Sequence, residues 1–94
     1  MKSIPSTATR RIIVAISGAS GAVYGVRLLQ VLRDAPGVES HLVVSSAGWR
    51  NVQEEHGLQR ADIEALADHV HDIANIGAAI ASGSFQCNGM VVAP

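Results

Sequence analysis

Arg11-Ile12-Ile13-Val14-Ala15-Ile16-Ser17-Gly18-Ala19-Ser20-Gly21-Ala22-Val23-Tyr24-Gly25-Val26 runs from an apolar, β-branched segment through a glycine-rich turn directly into a helical pattern. Ile12 to Ile16 shows almost no polar alternation, which is the pattern of a strand covered on both faces, as in a parallel sheet. Beyond the turn, Ala22, Gly25, Val26, Leu29 and Leu32 recur at helical spacing on one face, with Arg27, Gln30 and Arg33 turned away from it. A glycine inside a helix costs about 1 kcal/mol relative to alanine, so Gly25 is expected to be compensated by close packing of helix on sheet. Gly18 and Gly21 flank a small hydroxyl residue, which lets the backbone approach a ligand. The helix behind them offers unpaired N–H groups and a positive dipole end. The plainer reading is a tight strand-to-helix turn, but such a turn needs one glycine rather than the Gly-Ala-Ser-Gly group. The stretch therefore reads as an anion site, most often one for phosphate.

Outward from this unit, Asp34-Ala35-Pro36-Gly37 has turn chemistry, and Ser40 to Ser45 reads as a second strand, completing a right-handed βαβ unit. Ligands of open parallel sheets bind beyond the carboxyl ends of the strands, the edge that holds both Ser17 to Gly21 and Ser45-Ser46. Ala47 to His56 reads as a short helix stopped by Gly57. Asp62 is expected to cap a third helix whose buried side carries Ile63, Leu66, Ala67 and Val70. Ile73 to Ala81 fits either a short apolar helix or an extended segment. Ser82-Gly83-Ser84 reads as a loop, and Gly89 to Ala93 as a third buried strand. The fold class is α/β, a Rossmann-like parallel sheet in a three-layer α/β/α arrangement. A flexible leader is expected over 1–10 and a single domain over 11–94. Because Pro94 follows a strand at the ligand edge, the chain reads as the first half of a doubly wound domain.

The 94 residues, 48% of them hydrophobic, suffice for one soluble domain at most. Only Tyr24, Trp49 and Phe85 are aromatic, so the core is aliphatic; Trp49 is expected to pack the second helix or a subunit contact. A net charge of −1 with scattered Lys and Arg argues against nucleic acid as a partner. Cys87, the single cysteine, excludes an intrachain disulfide and a multi-thiolate zinc site, fits a reducing compartment, and reads as a buried or half-buried small residue. Neither a secretory h-region nor a membrane-length apolar run is present in the sequence, and a cytoplasmic location is expected. His69 and His71, placed two apart on a helix, would diverge with no third ligand nearby, so no metal is expected.

The commonest occupant of such a turn is a dinucleotide, yet G-x-G-x-x-G spacing is absent, since the glycines stand at 18, 21 and 25. No Gly-Lys-Ser/Thr follows, so the P-loop pattern fails as well. Semialdehyde-dehydrogenase-like reductases carry a similar turn, but their third glycine would fall at Tyr24. The second strand ends in Ser45-Ser46 rather than in the acidic residue that holds an NAD ribose, a point that leaves NADP open.

Ser17 to Leu29, His41 to Ser45, Ala81 to Phe85 and Gly89 to Pro94 together, in this order, resemble the UbiX family of flavin prenyltransferases over roughly the N-terminal half of a family member. The resemblance implies a Rossmann-like flavoprotein that binds FMN and assembles into a dodecamer. It implies transfer of a dimethylallyl group from dimethylallyl phosphate to N5 and C6 of reduced FMN. The prenylated FMN so formed serves UbiD-type decarboxylases in ubiquinone biosynthesis and aromatic-acid decarboxylation. Carried over by position, Gly18, Ala19 and Ser20 would contact FMN, as would Ser45. Glu55 would be the catalytic glutamate, managing protons with Ser20. Ser82, Gly83 and Ser84 would approach the substrate phosphate. The Ser-x-x-Thr-like turn and the basic residues that complete such a site belong after Pro94, so these 94 residues alone are expected to be inactive.

Two other readings compete. One is a related FMN-dependent decarboxylase of cysteine-derived substrates, whose catalytic histidine after the second strand is poorly matched by His56. The other is a non-catalytic nucleotide-binding or assembly module. On the residues alone Glu55 reads as readily as a solvated helix residue, like its neighbour Glu54.

Overall fold

The apolar segment at the head of the chain forms β1, Arg10–Ile16, and the helical pattern behind the turn forms α1, Ala22–Arg33. The computed structural model describes residues 9–18 and 21–93, with only the backbone at 55 and 56. The chain continues through β2 (Val38–Val44), α2 (Ser46–His56), α3 (Arg60–Glu64), β3 (His69–His71), α4 (Ile73–Ser82) and β4 (Gly89–Ala93). All strand pairs are parallel and the sheet order is β3-β2-β1-β4. The leader expected over 1–10 lies outside the described residues up to 8, and Arg10 already belongs to β1.

β1 has a neighbour on each side, which explains its unbroken apolar run. Val14 and Ile16 of β1, with Leu42 and Val44 of β2, face the larger core, which takes in Ala22, Val26 and Leu29 of α1, Val52 of α2 and Ile63 of α3. Ile13 and Val43 face the opposite side and pack with Ile76 of α4 and with Phe85. The three-layer arrangement is thus present, and the core is aliphatic. On α1 the expected face is buried at Ala22, Gly25, Val26 and Leu29, and Leu32 packs against it. The turn after α1 uses Gly37 at φ +73°, and α2 ends on left-handed Gly57, whose N–H reaches the Val52 carbonyl. Trp49 packs against the larger core with the Arg60 guanidinium 4.6 Å over its ring.

Several local expectations are corrected. The third helix is a single short turn of chain whose N-cap is Gln59; Asp62 lies inside its first turn, where the helix dipole favours a carboxylate. Ile63 is buried on its inner side and Leu66 and Ala67 pack beside it, but Val70 belongs to β3 and is exposed. The reason lies in Asp68. Its carboxylate accepts from the Ser40 amide (2.8 Å) and its own amide donates to Ser40 Oγ (3.0 Å), which draws the chain alongside β2 and makes 69–71 a strand. His69 and His71 therefore sit on a strand, not a helix, and residues two apart on a strand share a face. Both rings stack against His41 from the β3 side, at centroid distances of 4.6 and 5.0 Å, and lie 6.4 Å from each other.

Ile73 to Ala81 resolves to a helix, α4, because Asp72 caps it by accepting from the Ala74 amide (2.9 Å) and Gly83 ends it at φ +78°. Ser82 is its last residue rather than part of a loop. β4 is not a buried strand. It is an edge of this sheet, and Met90, Val91 and Val92 are about half exposed while Ala93 alone is buried. Cys87, in the connection before β4, is exposed. Among the described residues no helix is long and apolar enough to cross a membrane.

Gly25 is where helix meets sheet. A Cβ there would stand 2.8 and 2.9 Å from Ile16 Cγ1 and Cδ1 and 3.3 Å from Ala93 Cβ, and Ile16 is itself fully enclosed. Gly25→Ala gains about 1 kcal/mol of helix propensity and loses about 1–3 kcal/mol to overpacking. The expected outcome is a net loss of stability, read as a lower urea midpoint for the full-length protein. An unchanged or higher midpoint would mean that Ile16 repacks freely.

Candidate functional site

The register brings Ile16, Val44 and Ala93 level at the carboxyl edge of the sheet. From β1 the chain first winds to β2 and β3 on one side, then crosses to β4 on the other, so the strand order reverses at β1. The crevice at such a reversal is where open α/β sheets bind ligands, and it is where the glycine turn sits.

Backbone hydrogen bonds lock this edge. The Ser17 amide donates to the Ala93 carbonyl (3.1 Å), and the Ser45 amide donates to the Ile16 carbonyl (3.0 Å). Ser45 is the N-cap of α2. Its Oγ accepts from the Gly48 amide (2.9 Å) and donates to the Ser17 carbonyl (2.9 Å), tying the turn after β1 to the first turn of α2. Gly18 has φ +114°, and a Cβ on it would stand 2.8 Å from Ala47 Cβ and 2.9 Å from the Ala47 carbonyl carbon. A Cβ on Gly48 would stand 2.7 Å from the Ile16 carbonyl oxygen. Glycine is thus required on both sides of the contact, at Gly18 for conformation and space and at Gly48 for space alone.

α1 opens on this turn with Gly21 as N-cap, without a side-chain cap and with no acidic residue in its first turn. Its free amides and dipole end suit an anion, and no acidic side chain of that turn repels one. Between the turn and α2 lies a cavity of about 180 Å³ lined by Gly18, Ala47, Arg50, Asn51 and Glu54. Asn51 Oδ1 is buried there with no hydrogen-bond partner among the described residues. Glu54 is exposed, the solvated position the sequence suggested, and it stands at the rim of this cavity on the cleft side of α2. Spacings of three and four put 47, 50, 51 and 54 on one helix face.

The expected site residues divide. Gly18 and Ser45 meet at the carboxyl edge, as the sequence suggested. Ala19 and Ser20 lie outside the described residues, and Glu55 stands in the last turn of α2 with its side chain outside them. Ser82, Gly83 and Ser84 are not brought to this edge. As a crossover between parallel strands, α4 runs back across the sheet, and its cap emerges near Phe85 and Asn88, whose Oδ1 accepts from the Arg11 amide (2.9 Å). There Ser82 Oγ and Ser84 Oγ lie 3.0 Å apart, and both donate to the Ala79 carbonyl (3.2 and 3.3 Å), so within one chain these serines finish a helix. The sequence reading missed Gly48 and Asn51. The one signal available was a glycine in the first turn of a helix directly after a strand.

Comparison with known proteins fits this geometry. The Flavoprotein family matches residues 3–94. The flavin prenyltransferase UbiX of Escherichia coli K12 is 54% identical over 85 residues, covering 90% of this chain and 45% of the relative. The crystal structure of AnUbiX (PadA1) in complex with FMN and dimethylallyl pyrophosphate superposes with a TM-score of 0.80 at 42% identity, covering 92% of this chain and 45% of that one. A dodecameric FMN-dependent UbiX-like decarboxylase from Escherichia coli O157:H7 gives 0.79 at 45% identity, covering 89% and 45%. The chain spans about half the length of these relatives. With a match through nearly its whole length, the chain belongs to the Flavoprotein family, and within it resembles the UbiX flavin prenyltransferases.

Proposed function

We propose that these residues form the flavin-binding half of an FMN prenyltransferase that moves a dimethylallyl group from dimethylallyl phosphate to reduced FMN. The observation that carries this reading is the start of the turn after β1, Ser17 and Gly18, which lies at the strand-order reversal and is pinned to α2 by Ser45 and by the Gly18 and Gly48 contacts. Its similarity to a structure holding FMN and dimethylallyl pyrophosphate supports it. Bound reduced FMN supplies the nucleophilic N5 and C6 to which the group is transferred. In this reading Gly18, Ala19 and Ser20 hold the flavin, and Ser45 keeps the turn in shape through a hydroxyl already committed to Ser17 and Gly48. Arg50, exposed at the rim of the cavity, adds a positive charge beside Gly18.

Glu55 and Ser20 handle the protons: a carboxyl against an apolar ring face is pushed toward its protonated form, which suits it for exchange through a neighbouring hydroxyl. Ser82, Gly83 and Ser84 enter as phosphate ligands only through a neighbouring copy, because within one chain they lie away from the turn. The whole protein works as a homo-oligomer, dodecameric like the Escherichia coli O157:H7 relative, in the cytoplasm. Its product passes to a UbiD-type decarboxylase.

The full-length apoprotein is expected to bind FMN in preference to NAD(P), as measured by quenching of flavin fluorescence. Gly18→Ala should weaken that binding by roughly tenfold or more, since the positive φ and the Ala47 contact together store about 1–3 kcal/mol in the turn. Tight NADPH binding without FMN binding would overturn the assignment.

A second comparison separates chemistry from binding. Glu55→Gln should leave FMN affinity near wild type and slow anaerobic formation of prenylated FMN by about 10²–10⁴-fold, the usual worth of a positioned acid or base. Glu54→Gln should shift FMN affinity instead, because Glu54 lines the cavity beside Gly18, and should leave the saturated rate nearly intact. Equal saturated rates for wild type and Glu55→Gln would remove Glu55 from the mechanism.

A further inference from the structure

On the side of the sheet that carries α4, away from the flavin edge, four polar side chains of β2 and β3 converge. Glu39 and His41 are alternate residues of β2 and share a face, and the register sets His69 of β3 beside His41. His41 Nε2 lies 2.7 Å from Glu39 Oε1, and His69 Nε2 lies 3.6 Å from Glu39 Oε2. One ligating atom from each of the three falls within 4.8 Å of the other two. His41 is 4% exposed, and the His69 side chain is 52% exposed, so the group is anchored on one side and open to solvent on the other.

We propose that Glu39, His41 and His69 form a binding site for a divalent transition metal of the zinc type, with His71 orienting His41 from behind. Two imidazoles and a carboxylate are a donor set that zinc takes in proteins, with a remaining position left for water. Metal–ligand distances of about 2.0–2.2 Å place the donors of a tetrahedral site about 3.4 Å apart. The 2.7 and 3.6 Å separations bracket that spacing, and half-exposed His69 can swing to close the remainder. His41 Nε2 donates to Glu39 without metal; a metal at Nε2 displaces that proton, and a proton on Nδ1, 2.7 Å from His71 Nε2, then donates to His71 and fixes the ring. Phe85 packs edge-on against both His41 and His71, fixing those rings from the α4 side.

One cation already competes. Arg11 Nε stands 3.4 Å from Glu39 Oε1, but the Arg11 side chain is half exposed and can turn out to solvent. Glu39 precedes the end of β2 by five residues, roughly 17 Å at about 3.3 Å per residue. The site is therefore a clamp between β2 and the three-residue β3, apart from the flavin chemistry. Metal binding there stabilises the folded state by mass action.

The test uses the full-length protein without a histidine tag, stripped of metal by chelator. Zinc(II) is titrated calorimetrically and cobalt(II) by its visible absorption. One metal per chain is expected, with cobalt bands of a low-coordinate nitrogen and oxygen site. His69→Ala and Glu39→Gln should each lower affinity by about tenfold or more, and His71→Phe should lower it less. His41 is buried and its removal risks the fold, so exposed His69 carries the decision, with an unchanged circular dichroism spectrum as control. FMN uptake by His69→Ala should match wild type, which keeps this outcome separate from that of the flavin reading. No saturable binding by wild type, or unchanged affinity in His69→Ala and Glu39→Gln, overturns the proposal.

Discussion

Two backbones touch where the turn leaving β1 meets the first turn of α2, and the ligand edge depends on that contact. Gly18 at φ +114° leaves no room for a side chain against Ala47, and Gly48 leaves none against the Ile16 carbonyl. Ser45 closes the arrangement with a hydroxyl that caps α2 and holds the Ser17 carbonyl at once. The free energy of each hydrogen bond is modest, about 0.5–1.5 kcal/mol net. Their value is geometric, since they fix the direction in which the amino end of α1 presents its amides. Backbone amides at a helix N-terminus suit an anion without a basic patch, which makes the proposed flavin phosphate site compatible with a net charge of −1.

The sheet order supplies the other half of the design. Winding from β1 to β2 and β3, then crossing to β4, splits the helices between two faces and opens a crevice at β1. The larger face is a well-filled aliphatic core beneath α1, α2 and α3. The face beneath α4 holds little beyond Ile13, Val43, Ile76 and Phe85, and beside these the polar group of Glu39, His41, His69 and His71 gathers. There the hydrogen bond from His41 draws the Glu39 carboxyl below its ordinary pKa against the opposing effect of burial, and the charges of His41, His69 and Arg11 add to the lowering. Burial holds the His71 imidazole below its usual range, and repulsion from His41 and His69 adds to it. The two ends of β2 are thus chemically unlike: a close-packed glycine and serine backbone contact at the carboxyl end, and an imidazole and carboxylate cluster toward the amino end.

What the sequence by itself determined is local or periodic. The apolar run of β1, the helical face of α1 with its glycine, the Pro-Gly turn and the Gly57 stop are each set by residues within a few positions of one another, and each stands where the pattern put it. The glycine turn and the edge shared by Gly18 and Ser45 were legible for the same reason. Only the tertiary structure decided the rest, because those features depend on partners far away in the chain. Asp68 turns 69–71 into a strand by reaching Ser40, twenty-eight residues earlier, and that pairing stacks His69 and His71 on His41. Helical spacing sets 47, 50, 51 and 54 on one face of α2, but that this face borders the turn at Gly18 follows only from the close approach of Gly48 to Ile16 and of Gly18 to Ala47. The serines of the α4 cap leave the ligand edge because a crossover helix between parallel strands must run back across the sheet, a consequence of topology rather than of any residue in Ser82-Gly83-Ser84.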